Sequence, residues 1–284
     1  MVSNEPGGHL LNRFSALLLA GLLVAPAACA GEPEVSPEER AAKIAKKLKE
    51  ADTRLTNNRA RDAEEIYNWV LQQEPEHAQA LRGLAQVRSE AKQYDQAISL
   101  LQRSIAANGN DARAHAALGY AQAALDKPTE AAAAFGQAFT LAPDNARYGL
   151  EQGTNLNKAK QYAAAEPVLA KAGEVDPKVR YVWSQLGDAQ RGQDKLDDAL
   201  RSYMKSLTQY KSDKDAHAGA ARIYEARGDT RRAVDHWSTY VRMDCCSKYS
   251  KTVARPKLEE LQKKENSELQ AEIAATKPPT DEAG

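Results

Sequence analysis

The chain lacks most of what catalysis requires. No H-E-x-x-H, G-x-S-x-G or Walker pattern occurs, and the three cysteines, at positions 29, 245 and 246, have no zinc-ligand spacing. Five histidines, His9, His77, His115, His217 and His236, are scattered along the sequence. An excess of one charge sign is also missing: 39 basic residues meet 39 acidic ones. Nucleic-acid binders normally carry a basic excess, so nucleic acid is not expected as a partner. Aromatic residues are scarce at 6% while charged residues reach 27%, a balance that suits long helices with a wet surface. The paired acids Glu64-Glu65, Asp197-Asp198 and Glu259-Glu260 have no buried context that would shift a pKa, and read as solvated faces. An enzyme is not expected, nor is any cofactor, metal or small-molecule substrate.

What is present is a period. From Ile44 the chain divides into six 34-residue blocks without an insertion: 44–77, 78–111, 112–145, 146–179, 180–213 and 214–247. Block position 20 is always alanine: Ala63, Ala97, Ala131, Ala165, Ala199 and Ala233. Position 8 is always small: Ala51, Ala85, Gly119, Gly153, Gly187 and Ala221. Two helices that cross closely require small side chains at the crossing. Position 24 is always large: Tyr67, Leu101, Phe135, Leu169, Tyr203 and Trp237, each suited to fill the space between neighbouring blocks. Position 32 is Pro75, Pro143 and Pro177 in three blocks, where a missing N–H ends a helix, but Gly109, Lys211 and Cys245 in the others. The six blocks span 204 of 284 residues.

The best-formed block, Ala112–Asn145, resembles the tetratricopeptide repeat, with Leu118-Gly119, Ala131, Phe135, Ala138 and Pro143 in the family's slots. The resemblance implies an all-α, right-handed solenoid of six helix pairs with a capping helix after them, each pair touching only its neighbours. It further implies that the first helix of each pair lines a concave groove through positions 2, 5, 9, 12 and 13. In this sequence those slots supply Gln79, Arg82, Gln86, Arg113, Tyr120, Arg147, Asn157, Lys158, Tyr181, Asp188, Arg191 and Arg222 as the expected partner-binding set. Arg and Tyr are enriched at binding hot spots. The carboxylate clamp of chaperone-binding relatives is not expected. Arg82, Gln86 and Arg147 imitate parts of it, but Ala117 replaces an Asn and Glu151 stands where a cation belongs.

Residues 1–30 read as a targeting segment. Arg13 precedes an uncharged run, Phe14–Ala30, whose 17 residues are short for a membrane-spanning helix but suit a signal-peptide core. Three outcomes stay open. Ala27-Ala28-Cys29 resembles a lipoprotein box, with Pro26 in a slot usually held by Leu or Val, and implies lipidation of Cys29. Two A-x-A sites, ending at Ala27 and Ala30, would instead release a soluble exported protein, and an uncleaved anchor is the third outcome. Residues 31–43 form a Pro- and Glu-rich linker and a helix start, with Ser36, Pro37 and Glu39 arranged as a capping box. The first helix then carries a Lys-rich outer face, which suits a terminal repeat with no neighbour on that side. A basic face meeting phospholipid head groups is the less favoured alternative, because acidic residues interleave the lysines.

Beyond the blocks, residues 248–275 are expected to cap the array, with Leu258, Leu261, Leu269 and Ile273 on one face. Pro256 either opens this helix at its first turn or kinks one begun near Ser247. Residues 276–284 are expected to be disordered. The adjacent Cys245 and Cys246 admit a reduced pair, a vicinal disulfide or a bond to another chain. His115 and His217 share position 4 with Trp183 and read as packing residues. The functional expectation is a non-catalytic interaction scaffold of the bacterial cell envelope, in the periplasm or on the outer membrane as a lipoprotein. Resemblance to bacterial tetratricopeptide lipoproteins implies that it would bind a protein or peptide segment in its groove during assembly of a surface machine such as a pilus secretin, outer membrane or cell wall. A self-associating structural protein and a regulatory subunit of an envelope enzyme are the alternatives.

Overall fold

The computed structural model describes residues 36–276. The targeting segment, Cys29, most of the linker and residues 277–284 lie outside the described residues. The chain divides into two units, Met1–Ala42 and Lys43–Gly284. Within the first, the capping box forms: Ser36 N–H donates to the Glu39 carboxylate at 3.1 Å, and Glu39 N–H donates to Ser36 Oγ at 3.2 Å.

The described residues form thirteen α-helices and no strand. Helices α1 (Pro37–Thr56) and α2 (Ala60–Gln73) are followed by α3 (Ala78–Glu90) and α4 (Tyr94–Ala107), then α5 (Ala112–Ala124) and α6 (Pro128–Leu141). The series continues with α7 (Ala146–Lys158), α8 (Tyr162–Val175), α9 (Val182–Arg191), α10 (Leu196–Gln209), α11 (Lys214–Ala226) and α12 (Thr230–Met243). From α2 onward each helix packs on the next. All six position-20 alanines are fully buried, and so are the position-24 side chains from Tyr67 to Trp237. The small-to-large match is tight. A Cβ on Gly119 would stand 2.8 Å from the Phe135 ring, and one on Gly153 2.3 Å from Leu169 Cγ.

The 34-residue register also governs the turns. Asn58, Lys92, Asp126, Lys160, Asp194 and Gly228 all occupy position 15, and all have positive φ, between 56° and 73°. This left-handed residue ends the first helix of each pair. The next cap is position 34. His77, Asp111, Asn145 and Asp213 there accept backbone N–H groups at the starts of α3, α5, α7 and α11. In the fourth block this slot is Val179, which has no acceptor. Helix α9 accordingly starts late, at Val182, and Tyr181 adopts φ 73° outside the helix. Tyr181 therefore does not stand on a first helical turn as the repeat frame predicts.

Position 4 does more than pack. His115 Nε2 bonds the Gly109 carbonyl at 3.0 Å, Trp183 Nε1 donates to that of Pro177 at 3.0 Å, and His217 Nε2 bonds that of Lys211 at 3.1 Å. Each ring thus ties its helix to position 32 of the preceding block.

Past α12 the helix begins at Lys248, with Ser247 Oγ accepting the Ser250 N–H at 3.0 Å. A π-helical turn, Ser250–Ala254, leads into α13 (Arg255–Thr276). Pro256 therefore sits inside a helix already begun, and the wider turn ahead of it accommodates the missing N–H and the ring. Leu258 and Leu261 pack on the last pair, but Leu269 and Ile273 stand 54% and 60% exposed, contrary to a four-residue capping face. Glu268 already meets Thr230, the first residue of α12, so α13 runs on past the helix it covers. Cys245 and Cys246 are paired as a vicinal disulfide in the turn between α12 and α13. No described helix is long and apolar enough to cross a membrane.

Candidate functional site

The first helices of the pairs bring most of the expected residues into two cavities. Arg82, Gln86 and Ser89 from α3, Arg113, Ala116, Ala117 and Tyr120 from α5, and Tyr148 from α7 line a cavity of about 340 Å³. Its walls are largely apolar because alanines stand at two neighbouring α5 positions. Tyr120 is held edge-on against Phe135, with ring centroids 4.8 Å apart, and keeps 42% of its surface exposed. Burial against this ring raises the Tyr120 pKa, and its hydroxyl donates to Glu151 at 3.4 Å. Arg82 is tied to Asp111, the cap of α5, by a 2.8 Å ion pair. Arg113 is exposed and makes no ion pair among the described residues.

A second cavity of about 310 Å³ gathers Thr154, Asn157, Lys158, Tyr162, Gln185, Asp188, Arg191 and Arg222. Its chemistry is polar and internally bonded. Tyr203 Oη donates to Asp188 at 2.8 Å, Arg191 Nε donates to Tyr203 Oη at 3.2 Å, and Arg191 lies 3.4 Å from Asp188. Burial raises the Asp188 pKa, against the lowering effect of the Tyr203 and Arg191 hydrogen bonds. Asn157 donates to the Gln185 carbonyl at 2.8 Å, and Arg222 donates to the Tyr249 hydroxyl. Asp188 and Arg222 also border a third cavity of about 380 Å³, together with Lys214, Asp215, Tyr240, Asp244, Ser247 and Tyr249.

The remaining expected residues sit elsewhere. Gln79 is spent on Asp52, 3.1 Å away. Arg147 lines a separate cavity with Arg113 and lies 3.9 Å from Glu151. Tyr181 packs beneath the Arg180 guanidinium, 4.8 Å from its ring centroid. Sequence spacing missed Ala117 and Gln185, which share block position 6, and Tyr148 at position 3. It also missed Tyr249, which reaches the groove from outside the repeat frame. Position 6 carried a signal: it lies one helical turn beyond position 2 on the same face. Among the described residues no three His, Cys, Asp or Glu side chains converge as a metal site.

A stack of helix pairs, each packed on the next with the first helices lining one face, defines an α-solenoid. The comparisons place the repeat itself. Residues 54–119 match one family model described as tetratricopeptide repeat, and residues 112–145 match another of the same description. Residues 54–145 carry tetratricopeptide repeats, whose family is generally one of non-catalytic scaffolds. Solved structures of similar fold include YrrB, described as a tetratricopeptide-repeat protein with an unusual peptide-binding site. It is 19% identical over 65% of this chain and 95% of its own, with a TM-score of 0.56. MamA from Desulfovibrio magneticus RS-1 is 22% identical over 59% of this chain and 94% of its own, at a TM-score of 0.54. The Cut9–Hcn1 hetero-tetramer of the APC/C is 18% identical over 77% of this chain and 42% of that one, at 0.55. A search of curated proteins gives no match.

Proposed function

We propose that this protein is a non-catalytic scaffold of the bacterial cell envelope that holds an extended segment of another protein in the groove formed by its first helices. The observation that carries the reading is the Tyr120 cavity. It combines apolar walls, a half-exposed aromatic ring and an exposed arginine on a preformed helical face, a combination found at binding hot spots. The description of YrrB as peptide-binding supports the same use of a similar fold. Export rests on the sequence of residues 1–30, and anchoring on lipidation of Cys29. In this reading the linker places the groove near a membrane, where it assists assembly of a surface machine.

Two experiments test the proposal. Envelope proteins captured by the full chain should be lost from a Tyr120→Ala, Arg113→Glu variant of unchanged helix content. Equal capture by both would move the partner site off this face. Cys29→Ala should shift the protein from the membrane to the soluble fraction, and unchanged membrane retention would contradict lipid anchoring. Self-association is the second reading, favoured by the exposed Leu269 and Ile273 on α13. A monomer in sedimentation at high concentration would count against it.

A further inference from the structure

The chain is neutral as a whole, yet its groove is not. The Tyr120 cavity and its neighbour are lined by Arg82, Arg113, Lys158, Arg191 and Arg222, against Asp188 as the one carboxylate in either lining. Arg82 and Arg191 already face Asp111 and Asp188. Arg113, Lys158 and Arg222 have no carboxylate within ion-pair distance among the described residues, and Arg222 is bonded to the neutral Tyr249 hydroxyl. Glu151 stands at the rim, bonded by Tyr120 and 3.9 Å from Arg147. Further along, the sign changes. The third cavity carries Asp188, Asp215 and Asp244 against Lys214 and Arg222. Burial raises the pKa of Asp215, helped by the nearby Asp213 and Asp188 carboxylates and opposed by Lys214 and Arg222.

We propose that the groove selects an acidic, extended polypeptide segment with an apolar side chain within it. The apolar side chain enters the Tyr120 cavity, and Asp or Glu side chains flanking it meet Arg113, Lys158 and Arg222. The acidic stretch ends before Asp215 and Asp244, which repel further carboxylates. This assignment rests on the reading of the groove as the partner site and adds the chemistry of the occupant. Side-chain carboxylates are chosen over a terminal one because the cations are spread over α5, α7 and α11 rather than gathered around a single point. Each guanidinium–carboxylate contact in a partly desolvated groove is charge-assisted and directional.

The test is fluorescence anisotropy with the full chain and short synthetic peptides, acetylated and amidated, carrying one phenylalanine flanked by Asp, by Asn or by Lys. The Asp peptide should bind about tenfold more tightly than its Asn isostere, and the Lys peptide most weakly. That advantage should shrink with added salt and disappear in Arg113→Glu, Lys158→Glu, with Arg113→Gln as a gentler second variant. Equal affinity of Asp and Asn peptides, both lost in Tyr120→Ala, would overturn the acidic preference and leave the groove reading standing. Binding that requires a free C-terminal carboxylate would overturn the side-chain assignment. Displacement by a single-stranded oligonucleotide in preference to the Asp peptide would overturn the polypeptide assignment. Absence of binding by every peptide would overturn both this proposal and the groove reading.

Discussion

Two cavities lie on one face of one repeat array and are built from equivalent slots, yet they differ in kind. In the third block, position 9 is Tyr120 and position 24 is Phe135. The two rings pack edge-on, no hydroxyl enters between them, and the space above stays apolar and open. In the fifth block the same positions are Asp188 and Tyr203, and the tyrosine hydroxyl binds the carboxylate beneath the surface. The first block repeats that second pattern, with Tyr67 donating to Asp52 at 2.6 Å. The choice at two positions therefore decides whether a block offers an apolar anchor or a preassembled polar network. An anchor supplies affinity through burial; a polar network already satisfied within the protein contributes mainly orientation.

The tyrosine version has a further requirement. Tyr67 and Tyr203 are each followed, in the next block, by glycine at position 6, and a Cβ on Gly83 or Gly219 would stand 2.3 or 2.2 Å from the ring. Gly219→Ala should therefore break the polar cavity. It is expected to cost about 3 kcal/mol in urea denaturation by forcing the Tyr203 ring aside, while the Tyr120 cavity keeps its shape.

Tyr120→Ala breaks the other side of the comparison. Partner affinity should fall by about 2 kcal/mol, roughly thirtyfold by calorimetry. Stability should fall by less than about 1 kcal/mol, since much of the ring is already in water. Tyr203→Phe sharpens the comparison by converting one pattern toward the other. It removes a donor to Asp188 and should cost about 1–2 kcal/mol. The sign of its pH dependence follows from Asp188. A carboxylate whose pKa is raised on folding binds more protons folded than unfolded, so stability falls as pH rises from the ordinary 3.8 through the folded value. Loss of the Tyr203 hydroxyl, which opposes that rise, should steepen the fall and move the Asp188 titration upward in a carboxyl NMR experiment. The smallest effect is a gain. Lys160 sits at φ 58° between α7 and α8, apart from both networks, and Lys160→Gly should stabilise by about 0.5–1 kcal/mol with neither cavity changed.

Much of this was legible in the sequence because the repeat rests on side-chain size. Ala at position 20, small residues at position 8 and large ones at position 24 locate every helix crossing, and those residues are the buried ones. The caps at position 34 were equally open to reading, and Val179 in that slot accounts for the late start of α9 and the left-handed Tyr181. Contacts between blocks were harder to see. Arg82 appeared as a free groove cation, yet Asp111, in the next turn, holds it. The hydrogen bonds of His115, Trp183 and His217 to the preceding turn depend on ring orientation, which spacing does not specify. Apolar periodicity placed Leu269 and Ile273 on the inner face of α13, but it carries no information about where the neighbouring helix ends. The polar cavity was visible only as separate residues, since Tyr203 and Asp188 look independent until both helices are in place.

Hydrogen–deuterium exchange of the full chain, with and without the Asp-flanked phenylalanine peptide at saturation, tests the central claim most directly. The account predicts slowed exchange concentrated in α5 and α7, extending to α11, and absent from these helices in Tyr120→Ala. Protection confined to α12 and α13, or to the outer helices α6 and α8, would contradict it.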